Sequence, residues 1–188
     1  MTESSMTRTG DRRLPGDPTP REFVERTIRV DHAGEYGAKR IYQGQIAVLK
    51  GTRHEPLLRH MQEQEQVHLD TFSRLIAERR VRPTAMLPIW HVAGFALGAA
   101  TALLGYRGAM ACTVAVEEAI DEHYRAQNEA LGDDEAPLKE TIERFRQEEL
   151  EHRDIGLENE AELAPAYRPL YAAIKLGCKL AIRISEKV

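Results

Sequence analysis

Glu65-Gln-Val-His68 and Glu149-Leu-Glu-His152 are the two stretches on which the reading of this chain turns. Each puts a glutamate and a histidine three residues apart, so on a helix both side chains share one face. Each is preceded, in the helical segment before it, by a lone glutamate: Glu35 before the first and Glu117 before the second. The order Glu…Glu-x-x-His therefore occurs twice. Four glutamates and two histidines delivered by four helices make a di-metal carboxylate site inside a bundle.

The neighbours of these residues say that they face inward. Glu65 interrupts the apolar stripe Leu58, Met61, Leu69, Phe72, Ile76, and Glu149 with His152 interrupts Ile142, Phe145, Ile155. Glu117 sits among Met110, Val114, Ile120 and Tyr124, and Glu35 among Ile28, Tyr42, Ile46 and Leu49. Spacings of three, four and seven place each set on one buried face. Buried carboxylates without partners are costly, and four together repel one another. Two cations remove that conflict. A carboxylate-rich set with one imidazole per ion suits iron or manganese better than zinc. By contrast Glu118, Glu122, Glu148 and Glu151 read as solvated surface acids.

The chain also repeats. Glu35 to Glu117 is a shift of 82 residues, and Glu65 to Glu149 and His68 to His152 are shifts of 84. Tyr42 follows Glu35 by seven residues, as Tyr124 follows Glu117. Helices are predicted over Pro20–Leu49, Pro56–Arg80, Gly108–Leu131, Pro137–Glu158 and Leu170–Glu186, with breaks at Gly51, Gly132, Pro165 and Pro169. Lys50 lies midway between Glu35 and Glu65, and Asp133 midway between Glu117 and Glu149. Both midpoints fall on predicted turns, so in antiparallel hairpins the four glutamates reach one level. The fold expected is all-α: a four-helix bundle of two helical hairpins, with a long apolar crossover and an extra C-terminal helix, in one domain over residues 22–188. Residues 1–21, polar and without an apolar core, read as a flexible tail and not as a signal peptide.

Composition excludes other classes. The net charge of −4 comes from mixed acids and bases, with no basic patch that would suit nucleic acid. Cys112 and Cys178 each lie in an apolar stretch and read as small buried hydrophobes. No Gly-x-Gly-x-x-Gly dinucleotide fingerprint is present. From Pro83 to Tyr106 there is no Asp, Glu, Lys or Arg. Pro88 and His91 interrupt that run, and a crossing would part the two halves of one site. It reads as a segment lying at a membrane interface or capping an apolar channel. Lys175, Lys179, Arg183 and Lys187 form a basic row on the last helix that could meet anionic headgroups. Asp31 and Asp121, one turn from Glu35 and Glu117, are candidates for an outer carboxylate role, though surface charge is the plainer reading of Asp121. His32 and His123 flank the expected site.

These residues resemble the demethoxyubiquinone hydroxylase family of ubiquinone biosynthesis, membrane-bound di-iron monooxygenases with a ferritin-like bundle. The resemblance runs from about Arg26 to Val188. It is carried by Arg29-Val-Asp-His-Ala-Gly-Glu-Tyr-Gly-Ala38, Phe95-Ala-Leu-Gly98, Thr101-Ala-Leu-Leu-Gly105, Ala109-Met-Ala-Cys-Thr-Val-Ala-Val-Glu-Glu118, Glu148-Glu-Leu-Glu-His152 and Glu162-Leu-Ala-Pro-Ala-Tyr167. It implies that Glu35, Glu65, His68, Glu117, Glu149 and His152 hold two iron ions, with Glu65 and Glu117 well placed to bridge them. His123 and Tyr124 match a pair near the quinone, in a substrate or outer-sphere role. The implied reaction hydroxylates the ring of demethoxyubiquinol (2-polyprenyl-3-methyl-6-methoxy-1,4-benzoquinol), with dioxygen as co-substrate and NADH as electron donor. The implied setting is peripheral, on the cytoplasmic face of a bacterial inner membrane or the matrix face of a mitochondrial one. A lipid-binding partner protein, a ubiquinone-biosynthesis complex and a homodimer are the partners implied, and no nucleic acid. Two other readings stay open on the residues alone: a ferritin-like iron oxidase or storage protein, and a non-enzymatic quinone-binding scaffold.

Overall fold

Thr19 opens the first helix: its side chain accepts a hydrogen bond from the Glu22 backbone N–H, and the Glu22 carboxylate accepts one from the Thr19 N–H. This reciprocal pair satisfies two otherwise orphaned donors, and Pro20 follows at the first helical position, where its missing N–H costs nothing. The computed structural model describes residues 16–188. Residues 1–15 of the expected flexible tail lie outside the described residues. The helix begins at Pro20, just inside the stretch read as tail.

Six α-helices follow in order: α1 Pro20–Leu49, α2 Glu55–Arg79, α3 Leu87–Leu103, α4 Tyr106–Ala130, α5 Ala136–Glu158 and α6 Tyr167–Ser185. Single 3-10 turns, Asp133–Glu135 and Ala161–Leu163, lead into α5 and out of it. No strand occurs among the described residues. α1 with α2 and α4 with α5 form the two hairpins of a ferritin-like bundle, while α3 packs on α1 and α6 on α4. The turns fall where the midpoint argument put them, after Leu49 and around Asp133.

The long apolar crossover, for which no helix was predicted, contains a regular helix over residues 87–103. Pro88 sits in the first turn of the helix, and the glycines serve packing. A Cβ on Gly98 would lie 1.9 Å from the Ile41 carbonyl oxygen, and one on Gly44 would lie 2.2 Å from the Phe95 carbonyl oxygen. α1 and α3 thus approach backbone to backbone. No helix among the described residues is long and apolar enough to cross a membrane.

Three apolar clusters form the core, two of them filling the ends of the bundle and a third, with Ile41, Cys112, Val116 and Ile174, joining α1, α4 and α6. Tyr42, Ile46, Leu58, Met61, Met110 and Val114 pack toward the Lys50 turn. Ile28, Phe72, Tyr124, Leu138, Ile142 and Phe145 pack toward the other end. The layer between them, at the height of Glu35, Glu65, Glu117 and Glu149, is the polar one. Gln45, fully buried, donates from Nε2 to the Ala109 carbonyl at 3.1 Å and ties α1 to α4. Cys112 is buried, Cys178 is half-buried, and both are free.

Two residues of the basic row, Lys175 and Lys179, are paired with acids of α4, whereas Arg183 and Lys187 are exposed. Lys175 Nζ lies 2.8 Å from Glu118 Oε2 and 2.9 Å from Glu122 Oε1, and Lys179 Nζ lies 2.6 Å from Glu122 Oε2. Glu118 and Glu122, read as solvated acids, are the α4 half of this clasp. Leu176 and Leu180 of α6 also face outward, 70% and 57% exposed.

Because Gly98 has no room for a methyl group, Gly98→Ala should destabilise the protein by about 1–3 kcal/mol through overpacking. A denaturant melt checks this, and an unchanged midpoint would contradict the close α1–α3 contact.

Candidate metal centre

α2 and α5 meet across the bundle axis, so the two Glu-x-x-His faces oppose each other. The Nδ1 atom of His68 lies 3.1 Å from Glu149 Oε1 and 3.5 Å from Glu35 Oε2. His152 Nδ1 lies 3.2 Å from Glu65 Oε1 and 3.4 Å from Glu149 Oε2. All six of these side chains are at most 1% exposed. Their donor atoms form two groups, Glu35–Glu65–His68–Glu149 and Glu65–Glu117–Glu149–His152, with the atoms of each within 4.8 Å of one another.

Glu65 and Glu149 are common to both groups, rather than Glu65 and Glu117. The two shared residues are the Glu-x-x-His glutamates of α2 and α5, while the lone glutamates of α1 and α4 each belong to one group only.

The protein alone does not satisfy this cluster. Both carboxylate oxygens of Glu65, Oε2 of Glu35, Glu117 and Glu149, and Nδ1 of His152 are buried without a hydrogen-bond partner. The 3.2 Å approach of His152 to Glu65 is close without being aligned for a hydrogen bond. Buried polar atoms are normally paired, and orphaned acceptors facing one another need a cation. Four carboxylates and two imidazoles, one imidazole to each group, fit iron or manganese.

Burial raises the pKa of Glu65 and Glu117 well above the ordinary carboxylate range, and the charge of Glu149 adds to this. Burial would raise Glu149 too, but the neighbouring imidazoles of His152 and His68 hold it at about 2. Burial opposes charge on His68, yet Glu149 and Glu35 lift it to about 12. His152 is raised likewise, against its burial, by Glu149 and then Glu117. Without metal, then, Glu65, Glu117 and both imidazoles hold protons where ordinary groups of their kind begin to lose them.

A second layer fixes these ligand atoms, and most of it was not legible in sequence. Tyr42 donates to Glu117 Oε1 at 2.9 Å, and Tyr124 donates to Glu35 Oε1. Each tyrosine of the repeat thus serves the lone glutamate of the other half. His68 Nε2 lies 2.6 Å from Glu148 Oε2, and His152 Nε2 lies 3.0 Å from Gln64 Oε1. Glu148 is therefore not a solvated surface acid but the outer partner of His68, 31% exposed. Gln64 and Glu148 precede Glu65 and Glu149 by one residue, so the 84-residue shift was the available signal. The two partners are related by that repeat but differ in charge.

Among the other expected residues, Asp31 is 2% exposed and accepts from Gln127 Nε2 at 2.8 Å, while Gln127 Nε2 lies 2.8 Å from His123 Nε2. Burial raises the Asp31 pKa, against the opposing effect of His123. His123 is thus linked to Asp31, one turn from Glu35, and is not in contact with the six-residue cluster. Asp121 pairs with Arg146 at 2.7 Å, in keeping with its reading as a surface charge. His32 is half-buried with its Nδ1 unpartnered, and burial lowers its pKa.

Beside the cluster lies an apolar cavity of about 530 Å³, walled by α1, α3, α4 and α6. Gly34, next to Glu35, and Val116, next to Glu117, line it. Trp90 closes one end, its indole N–H donating to Ser185 Oγ at 3.0 Å and joining α3 to α6. Outside this wall α3 exposes Ile89 and Val92, 52% and 65% accessible.

Comparison with known proteins agrees with this geometry. The family model described as "Ubiquinone biosynthesis protein COQ7" matches residues 22–185. The chain is 62% identical over 182 residues to the 3-demethoxyubiquinol 3-hydroxylase of Rhodospirillum rubrum, covering 96% of this chain and 86% of that protein. It is 54% identical over 176 residues to the human mitochondrial NADPH-dependent 3-demethoxyubiquinone 3-hydroxylase, covering 92% and 81%. It is 39% identical over 183 residues to the mitochondrial 5-demethoxyubiquinone hydroxylase of Saccharomyces cerevisiae, covering 88% and 78%.

Metal uptake must displace the protons held by Glu65, Glu117, His68 and His152. Ferrous binding should therefore release about one or more protons per ion and strengthen steeply as pH rises. Calorimetry in buffers of differing ionisation enthalpy measures this, and binding without proton release would refute the protonation pattern. Glu148→Gln should weaken metal binding about 10- to 100-fold by loosening His68. Competition with a chelator reads this directly, and unchanged affinity would deny Glu148 that role.

Proposed function

The chain belongs to the ubiquinone biosynthesis protein COQ7 family, and from that premise we propose that it hydroxylates the ring of demethoxyubiquinol, using dioxygen at a pair of iron ions held by Glu35, Glu65, His68, Glu117, Glu149 and His152. The observation that carries this reading is the juxtaposition of a buried, unsatisfied carboxylate–imidazole cluster with an apolar cavity. A prenylated quinol needs both: a reactive centre for the ring and a dry wall for the tail. A protein that only stores iron has no use for such a cavity.

When bound, reduced iron would supply the chemistry that side chains lack, delivering electrons to dioxygen so that one atom enters the ring and the other leaves as water. Glu65 and Glu149, common to both donor groups, would help to hold both ions. Glu35 with His68 and Glu117 with His152 would complete the two ends. Tyr42 and Tyr124 each hold one oxygen of Glu117 or Glu35 by a hydrogen bond, which orients the other oxygen inward. The apolar clusters above and below exclude bulk water, so the field of the buried charges is little screened. Asp31, Gln127 and His123 form a polar path from the half-buried surface of α4 to the turn beside Glu35, suited to carrying protons inward.

The reductant is a reduced nicotinamide nucleotide. NADH was the expectation from sequence, whereas the printed names of several mitochondrial relatives specify NADPH for those proteins. With no dinucleotide fingerprint in the chain, the nucleotide would act without a Rossmann site. The apolar residues that α3 and α6 expose, Ile89, Val92, Leu176 and Leu180, support a reading of peripheral attachment to a membrane. The quinol would enter from the bilayer between these helices.

Single-turnover chemistry tests the proposal. Ferrous-loaded protein is mixed anaerobically with a short-chain demethoxyquinol and exposed to oxygen-18 gas, and the quinone is weighed by mass spectrometry. A gain of one labelled oxygen is expected, lost in Glu117→Ala while the circular dichroism stays helical. Iron oxidation with an unmodified quinone, or a fully active Glu117→Ala protein, would overturn the assignment.

A further inference from the structure

The helical glycines of this protein fall into two kinds. Gly44, Gly94, Gly98, Gly108 and Gly156 have no room: a Cβ on any of them would come within 3.0 Å of a neighbouring atom. Gly34 and Gly37 on α1 and Gly177 on α6 are the opposite case. A Cβ there would meet nothing within 4 Å, and none of the three has a positive φ. Neither packing nor backbone conformation requires glycine at these positions. In a helix interior glycine is destabilising relative to alanine, so the fold alone would favour a side chain at each.

All three line the apolar cavity beside the metal centre. They contribute bare backbone to opposite walls, α1 on one side and α6 on the other. The cavity lining on α6 runs from Leu170 to Ser185, a length of about 22 Å at helix rise. That suits an extended, unbranched-width apolar chain rather than a compact ring alone.

Resting on the substrate reading above, we propose that Gly34, Gly37 and Gly177 are specificity-determining residues: their missing side chains set the bore through which the polyprenyl tail lies, and they are retained for the ligand against the interest of the fold. Any side chain at Gly37 or Gly177 occupies the space of part of the tail. It leaves the cluster of glutamates and histidines untouched.

The test uses the full-length protein and its single tryptophan. Trp90 is the only tryptophan in the chain, and it lines the same cavity, so quenching of its fluorescence by a bound quinone reports on this site. A long-tailed polyprenyl methoxy-methyl-benzoquinone and its tailless counterpart are titrated into parent, Gly37→Leu and Gly177→Leu proteins, and melting temperatures are taken for these and for Gly37→Ala and Gly177→Ala. The alanine variants should melt at or above the parent. In the leucine variants the ratio of affinity for long-tailed over tailless quinone should fall about tenfold or more, the effect of moving an isoprene unit from an apolar wall into water. An unchanged ratio would overturn the inference, as would alanine variants that melt well below the parent, since the glycines would then serve the fold. Failure of the parent to bind the long-tailed quinone would instead remove the substrate reading on which the inference stands.

Discussion

Four carboxylates and two imidazoles lie in one buried layer, and their mutual electrostatics set the terms for everything around them. In water these groups would be solvated separately. Here each is at most 1% exposed, and several of their oxygens are buried without a hydrogen-bond partner. Like charges at this range, weakly screened, cannot all be ionised without cations. Burial and mutual repulsion therefore favour the protonated forms of Glu65 and Glu117, and the neighbouring carboxylates favour protonated His68 and His152, so a bound ion would compete with protons for the same lone pairs. The apolar clusters on either side make this a closed contest, since water cannot enter to relieve it.

The twofold repeat supplies the geometry but not identity of the two ends. Tyr42 and Tyr124 are exchanged between halves in equivalent roles. Glu148 and Gln64 occupy equivalent places too, yet one backs His68 with a carboxylate and the other backs His152 with a carboxamide. An imidazole hydrogen-bonded to a carboxylate is the stronger donor to a metal. The two ions would thus sit in unequal fields, which suits a centre where a substrate approaches from one side. The cavity does lie on one side, against α1 and α4, with α3 and α6 as its outer walls. The same outer helices expose apolar side chains, Ile89 and Val92 on α3 and Leu176 and Leu180 on α6.

Much of this was legible before any coordinates. The hairpin turns, the six-residue cluster and the shared height of the glutamates follow from periodicity and from counting residues, because a helix converts sequence spacing into position with little freedom. The resemblance to a known family carried the reading further, to the substrate and the iron. The elements misjudged were those where identity misleads about context. No helix was predicted within the apolar crossover, yet residues 87–103 form one, and its glycines let α3 lie directly against α1. Glu148 looked like any surface acid, since nothing local distinguishes a glutamate that meets a histidine from another hairpin. Lys175 and Lys179 looked available to lipid until α4 placed Glu118 and Glu122 opposite them.

By itself the sequence determined that this chain is all-helical, that it is built as two related hairpins, and which buried acids and histidines share a level. Those properties depend on local periodicity and on intervals along a rigid helix. Only the tertiary structure decided that Glu65 and Glu149 are the pair common to both ends, which outer partner each histidine receives, and that glycines on α1 and α6 face open space. Those properties depend on how separate helices rotate and cross. That is settled by the packing of whole faces against one another and is not encoded in the spacing along any one helix.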